Sequence, residues 1–141
     1  MRNRCRRETT KGDTAVRGSK NDLPLVEDYG ESLKSWQTEW GEMITEISTF
    51  PAGFDAAPFF KGLPEGMCQS PHWGYVLKGR VRITYRDHEE IITAGDAYYL
   101  QPGHSPLYEE DTEVVEFSPK GEYERTLAIV AQNAIGIEEY R

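Results

Sequence analysis

From Glu42 onward the chain is cut so often by turn-forming residues that only short elements fit between them. Pro51-Ala52-Gly53, Gly79, Asp87-His88, Ala94-Gly95-Asp96 and Pro102-Gly103 are the interruptions. Glycine reaches positive φ at no steric cost, and proline removes a backbone donor, so each cluster ends whatever precedes it. The pieces between them have strand character. Glu42–Phe50 holds the β-branched residues Ile44, Thr45, Ile47 and Thr49, and Trp73–Leu77 is apolar and aromatic. Val81, Ile83 and Tyr85 alternate with Arg80, Arg82 and Thr84, the two-residue period of a half-buried strand. Ile91–Thr93, Ala97–Leu100 and Glu113–Phe117 complete the set, while Phe54–Met67 is rich in Pro, Gly and Phe and reads as a loop. Many short strands with turns this frequent predict an all-β barrel or sandwich.

The flanks differ from this middle. Residues 1–28 have no apolar periodicity and read as a disordered basic N-terminal arm. Within 29–41, Leu33, Trp36 and Trp40 have helical spacing, which predicts a short helix or a loop pinned by aromatics. Near the C-terminus Leu127, Val130, Ala131, Ala134 and Ile135 lie on one helical stripe, so an α-helix is expected over about 121–135, with Gly136 as its stop. That helix is expected to cover one opening or flank of the barrel. A length of 141 residues suits one domain, placed at 29–141 with its barrel over about 42–118.

Charge narrows the partners. Residues 1–20 carry seven basic and two acidic residues, whereas residues 21–141 carry nine basic and 22 acidic ones, a balance of −13. An acidic body repels phosphate backbones, so no nucleic acid is expected on the folded part. The basic arm reads as a solvated terminus, with a polyanion-binding arm as the other use of such charge. No apolar run reaches the ~20 residues of a membrane span, and no secretory leader is visible, so the expected location is cytoplasmic without membrane contact. Two cysteines, Cys5 and Cys68, are too few and too far apart for a disulfide framework and fit a reducing compartment.

Two stretches resemble the paired motifs of the cupin superfamily, commonly written G-x5-H-x-H-x3,4-E-x6-G and G-x5-P-x-G-x2-H-x3-N. Tyr75-Val76-Leu77-Lys78-Gly79 is similar to the end of the first. Gly95-Asp96 followed by Gln101-Pro102-Gly103-His104 is similar to the second, and fifteen residues separate Gly79 from Gly95, about the family's short spacing. The resemblance covers roughly residues 42–118 and implies a small single-domain cupin with a jelly-roll-like barrel. The ligand slots are altered. Counting back from Gly79, His72 stands in the glutamate's slot, Cys68 in that of the second histidine and Gly66 in that of the first. Pro106 stands in the last histidine's slot, and His104 lies two residues earlier.

Residues two or four apart in extended chain share a face, so Cys68 and His72 point the same way and His104 still reaches the barrel interior. One thiolate and two imidazoles suit zinc or iron better than calcium or magnesium, and three protein ligands leave a position open for chemistry. Each of these residues also has a plain structural use: a hydrogen-bonded strand-start histidine, a buried inert thiol, a turn histidine. Glu116 shares a face with Val114 and Ser118. It enters the barrel as a fourth ligand or a catalytic acid/base group if Val115 and Phe117 pack outward under the helix, and otherwise faces solvent. Tyr75, Tyr98, Tyr99 and Tyr108 are candidates to line the pocket, although core or surface packing is the expected role of most of them, and His88 reads as a surface turn residue. The expected function is a small-molecule pocket with a divalent metal, either catalysing an oxygenase, isomerase or lyase reaction or, as a metal-free binding module, catalysing nothing. The resemblance also implies a homodimer.

Overall fold

In the computed structural model, which describes residues 16–139, strands occupy most of the chain between Leu25 and Pro119. They are β1 (Leu25–Asp28), β2 (Lys34–Trp40), β3 (Met43–Phe50), β4 (Phe54–Asp55), β5 (His72–Lys78), β6 (Arg80–Thr84), β7 (Glu89–Thr93), β8 (Ala97–Leu100), β9 (Ser105–Tyr108) and β10 (Thr112–Pro119). One helix, α1 (Lys120–Glu139), follows directly. The strands form a six-stranded sheet ordered β1-β2-β3-β10-β5-β8 and a four-stranded sheet ordered β4-β9-β6-β7, antiparallel throughout. Residues of both sheets line one cavity between them, the jelly-roll-like arrangement expected of an all-β chain.

The alternation in β6 holds as expected. Val81 and Ile83 are fully buried and pack with Leu100, backed by Tyr85, Ile92, Tyr98 and Tyr108. Gly79 carries φ +105 between β5 and β6, and a Cβ there would lie 2.3 Å from Thr112 Oγ1 and 2.6 Å from the Asp111 carbonyl oxygen. Only glycine fits that turn on both counts. Tyr123, Thr126 and Val130 of α1 are buried and line the cavity, so the helix closes one end of the sandwich. Asn133 fixes it by donating from Nδ2 to the carbonyls of Phe59 (2.7 Å) and Lys61 (2.8 Å).

Several expectations are corrected. Residues 29–41 hold no helix: Leu33, Ser35 and Gln37 turn inward, while Trp36 and Trp40 lie on the opposite face of β2. The inward residues are mostly polar, so the period of two is invisible to hydropathy. The expected disorder of residues 1–28 fails for its second half. Leu25–Asp28 pairs with β2, Lys20 Nζ sits 3.1 Å from Glu113 Oε2, and Arg17 pairs with Asp22 at 2.8 Å. The start of the arm, with Cys5, lies outside the described residues. The barrel accordingly begins before residue 42. Ser105–Tyr108, unassigned from sequence, supplies β9, and Phe54–Asp55 within the expected loop supplies β4. The helix runs past Gly136 to Glu139, because Ile137 packs on the cluster of Ala56, Phe59 and Phe60 and offsets the ~1 kcal/mol cost of a helical glycine. Its buried face passes through Tyr123, Thr126, Val130 and Ala134, leaving Ile135 exposed.

Candidate metal centre and its cavity

Cys68 sits just before β5, His72 opens β5, and His104 precedes β9. The backbone brings them together through a bridge in which Cys68 N–H donates to the His104 carbonyl (2.9 Å) and His104 N–H to that of Cys68 (3.2 Å). All three side chains are buried. Their donor atoms lie within 4.8 Å of one another, the one such His/Cys/Asp/Glu group among the described residues. His88, as expected, is exposed in a turn beside Asp87.

The hydrogen bonds set which imidazole nitrogens are free. His104 Nδ1 lies 2.6 Å from the Gln101 carbonyl oxygen, which can only accept, so Nδ1 carries the proton and Nε2 keeps its lone pair. His72 Nδ1 faces Ser118 Oγ at 2.6 Å and Glu116 Oε2 at 3.3 Å, while its Nε2 faces Cys68 Sγ at 3.5 Å. Both rings therefore have Nδ1 tied, and that of His72 turns Nε2 to the thiol, the outer-partner arrangement that orients histidine ligands in metal sites. Burial holds both histidines neutral, lowering each from 6.5 to about 3, with His72 adding to the effect at His104. Burial also pushes the Cys68 thiol up to about 12, so a metal entering here must displace its proton. The donor set fits a zinc- or iron-type ion. Bond lengths of ~2.0–2.3 Å would draw the three atoms slightly closer together than they stand.

Glu116 points inward, as one reading of β10 required, but Phe117 on the opposite face is exposed to solvent, not covered by α1. Its Oε1 accepts from Tyr98 Oη at 2.6 Å. Gly74 makes that bond possible. It stands between Tyr98 and Glu116 in the cross-strand row, and a Cβ on it would lie 2.4 Å from the tyrosine ring. A mid-strand glycine marking a close approach is a signal the sequence carries. Directly opposite Glu116 on β3 stands Glu46, also buried, and Glu27 of β1 lies on the same wall. Sequence reading missed both of these. Glu46 accepts from Tyr123 Oη (2.7 Å) and Ser48 Oγ (2.9 Å). Burial raises Glu27 and Glu46 from 4.5 to about 8, with the neighbouring carboxylates adding to it, and burial raises Glu116 to about 7. Of the four candidate tyrosines, Tyr108 lines the pocket and Tyr98 reaches it through Glu116, while Tyr75 and Tyr99 are surface residues.

The enclosed space measures about 80 Å³ and is bounded by Cys68, His72 and His104, the three glutamates, and apolar walls that include Phe50, Phe54 and Phe59. A water needs about 10–15 Å³ on the same measure, so the space takes a ligand of a few heavy atoms.

No protein-family model matches the chain, and no curated protein matches it. Solved structures do. An RmlC-like cupin from Shewanella frigidimarina aligns with a TM-score of 0.56 at 15% identity, over 77% of this chain and 93% of that one. KdgF from Halomonas sp. aligns at 0.51 and 16%, over 73% and 94%. The Cnp3 cupin domain of Schizosaccharomyces pombe aligns at 0.52 and 13%, over 80% of each chain. The chain has the fold of the RmlC-like cupins, as a single domain. No helix among the described residues is long and apolar enough to cross a membrane.

Proposed function

We propose that this chain is a metal-dependent cupin enzyme acting on a small molecule, with Cys68, His72 and His104 as the ligands of one zinc or iron ion. The observation that carries this is the convergence of three buried donors with both Nδ1 atoms occupied elsewhere. Such an ion would act as a Lewis acid with an open position for water, dioxygen or a substrate oxygen. Glu116 lines the same cavity beside His72 Nδ1, and we assign it the acid/base role. Oxygenase, isomerase and lyase chemistry all fit this arrangement, and the choice belongs to the substrate.

The test is elemental analysis of protein purified without a metal-binding tag. About one metal per chain is expected, lost in Cys68→Ala, His72→Ala and His104→Ala variants that keep their circular dichroism. Absence of metal after reconstitution with zinc, iron, nickel and manganese would overturn the metal centre and leave a metal-free binding module.

A cytoplasmic homodimer completes the proposal. Trp73, Tyr75, Leu77, Tyr99 and Phe117 are exposed on the outer face of the six-stranded sheet, with Trp73 and Tyr99 stacked at 5.0 Å. A contiguous aromatic surface of this kind is what a second copy covers, and buried, free Cys68 suits a reducing compartment. Light scattering should give twice the chain mass, reduced to one in Trp73→Ser/Tyr99→Ser. A wild-type monomer at micromolar concentration would refute the dimer.

A further inference from the structure

Cys68, His72 and His104 are 2%, 4% and 1% exposed, so almost nothing of the three donors meets solvent. Ions and ligands reach them only if part of the cavity wall moves. Most of that wall is built from strands locked into the two sheets, and moving a strand breaks a ladder of backbone hydrogen bonds. The helix α1 is the exception. It lies over the cavity through Tyr123, Thr126, Leu127 and Val130, yet it belongs to neither sheet. It also covers the donors directly. The Tyr123 ring stands edge-on to His72 at 5.1 Å, and Cys68 is packed in one apolar cluster with Val130 and Ala134.

The ties that hold α1 down are unevenly placed. At its start the Lys120 N–H donates to the Glu42 carbonyl (3.0 Å), and Lys120 Nζ pairs with Glu39 (3.1 Å). These bonds lie at the junction with β10, which α1 follows without a loop, and a swing about that point leaves them nearly unchanged. Tyr123 Oη donates to Glu46 close to the same junction. At the far end Asn133 Nδ2 donates two hydrogen bonds at once, to the Phe59 and Lys61 carbonyls. Asn133 lies thirteen positions after Lys120, about 20 Å along the axis at ~1.5 Å per residue, so a small rotation at the start moves the far half by several ångströms. Its carbonyl partners sit in and just after the short turn Ala57–Phe60, outside both sheets. Between the ends come the β-branched Thr126, Ile129, Val130 and Ile135, with glycines at 121 and 136, so α1 owes its order to docking more than to its own propensity.

We propose that α1 is the lid of this cavity. It pivots at Lys120–Gly121, and Asn133 is its latch on the Phe59 and Lys61 carbonyls. Release of the latch lifts the far half from Cys68 and opens a path to the donors, while Tyr123, near the pivot, moves least. Closed, the lid keeps water off the donors; open, it admits an ion or a ligand, the gating role of mobile elements over enclosed sites. The lid follows from the fold and holds whether or not the three donors take a metal.

The chain has two cysteines, so Cys5→Ser leaves Cys68 as the only thiol, a reporter beneath the lid. The full chain with that substitution, metal-free and at neutral pH, is treated with dithiodipyridine, and the labelling rate is followed by absorbance. Asn133→Ala and the isosteric Asn133→Asp, which cannot donate, should each label about tenfold faster, roughly what two ordinary hydrogen bonds contribute. Ile83→Ala, which weakens the core of the other cluster, should label at the wild-type rate. Without these substitutions the rate should be nearly independent of low urea, because lifting one helix exposes little surface beside global unfolding. Unchanged rates in both Asn133 variants would overturn the lid. So would acceleration by Ile83→Ala in proportion to its lost stability, or a urea dependence as steep as that of unfolding. The urea series decides the question even if the variants do not fold. A chain that opens locally but takes up no metal keeps the lid and loses the metal centre. One that loads metal but labels only on unfolding does the reverse.

Discussion

The two sheets that enclose the cavity are built on opposite principles. The four-stranded sheet turns an ordinary apolar face inward: Phe54, Tyr108, Val81 and Ile92 form one row across β4, β9, β6 and β7, with Ile83 and Pro106 in the next. The six-stranded sheet turns its polar residues inward. Gln37, Glu46, Glu116, Gly74 and Tyr98 form a single row across five strands, and Ser35 and Ser48 form part of another. Its outer face carries the exposed aromatics instead. One sheet supplies apolar burial, and the other lines the cavity with polar groups at a cost in stability.

The comparison is sharpened by matched substitutions. Ile83→Ala removes a fully buried side chain from the apolar half and should cost about 2–5 kcal/mol in urea unfolding. Ser48→Ala, equally buried in the polar half, deletes a hydroxyl that donates to Glu46 (2.9 Å) and lies 3.0 Å from Ser35 Oγ. It should cost about 1 kcal/mol, because the net worth of such bonds is small. Equal losses at both sites would show that the polar sheet is also a packing core.

This division governs what could be read from the chain. Val81 and Ile83 were legible because an apolar interior face writes itself as alternation, and the short β5, β7 and β8 were legible because Gly79, Gly95 and Pro102 bound them. β2 was misread because its inward residues, Ser35 and Gln37, look like surface, while Trp36 and Trp40 sit on the outer face at spacings a helix would share. Cys68, His72 and His104 came together as the spacing suggested, since positions two or four apart in extended chain share a face. Glu46 and Glu27 were illegible for the same reason as β2. In an acidic chain, an inward glutamate has no mark that separates it from an outward one. Only pairing does so, by setting Glu46 opposite Glu116. Gly74 was the one available clue, a glycine inside a strand where nothing but the approach of Tyr98 requires it.

The pH dependence of stability should divide along the same line. Glu27 and Glu46 hold their protons more tightly when folded, at about 8 against an ordinary 4.5, so their contribution is present at low pH and is lost as pH rises towards 8. His72 and His104 are shifted the other way, to about 3 from 6.5, so their contribution is present above 6.5 and is lost as pH falls towards 3. Between 4.5 and 6.5 the two slopes oppose each other, and Glu116, raised to about 7, tips the balance toward the carboxyls, so stability of the metal-free protein should peak near pH 4.5. From pH 6.5 to 8 only the carboxyls act, and each should cost about 2 kcal/mol across that window, at about 1.4 kcal/mol per pH unit. Thermal melts of metal-free protein at half-unit steps check this. Glu27→Gln/Glu46→Gln should flatten the alkaline limb above pH 7, where Glu116 no longer titrates, and leave the acid limb in place. Ile83→Ala should lower the curve at every pH without changing its shape, because nothing that titrates is removed from the apolar half. An alkaline limb that survives above pH 7 in the double glutamine variant would place the titrating groups elsewhere and dissolve the contrast between the sheets.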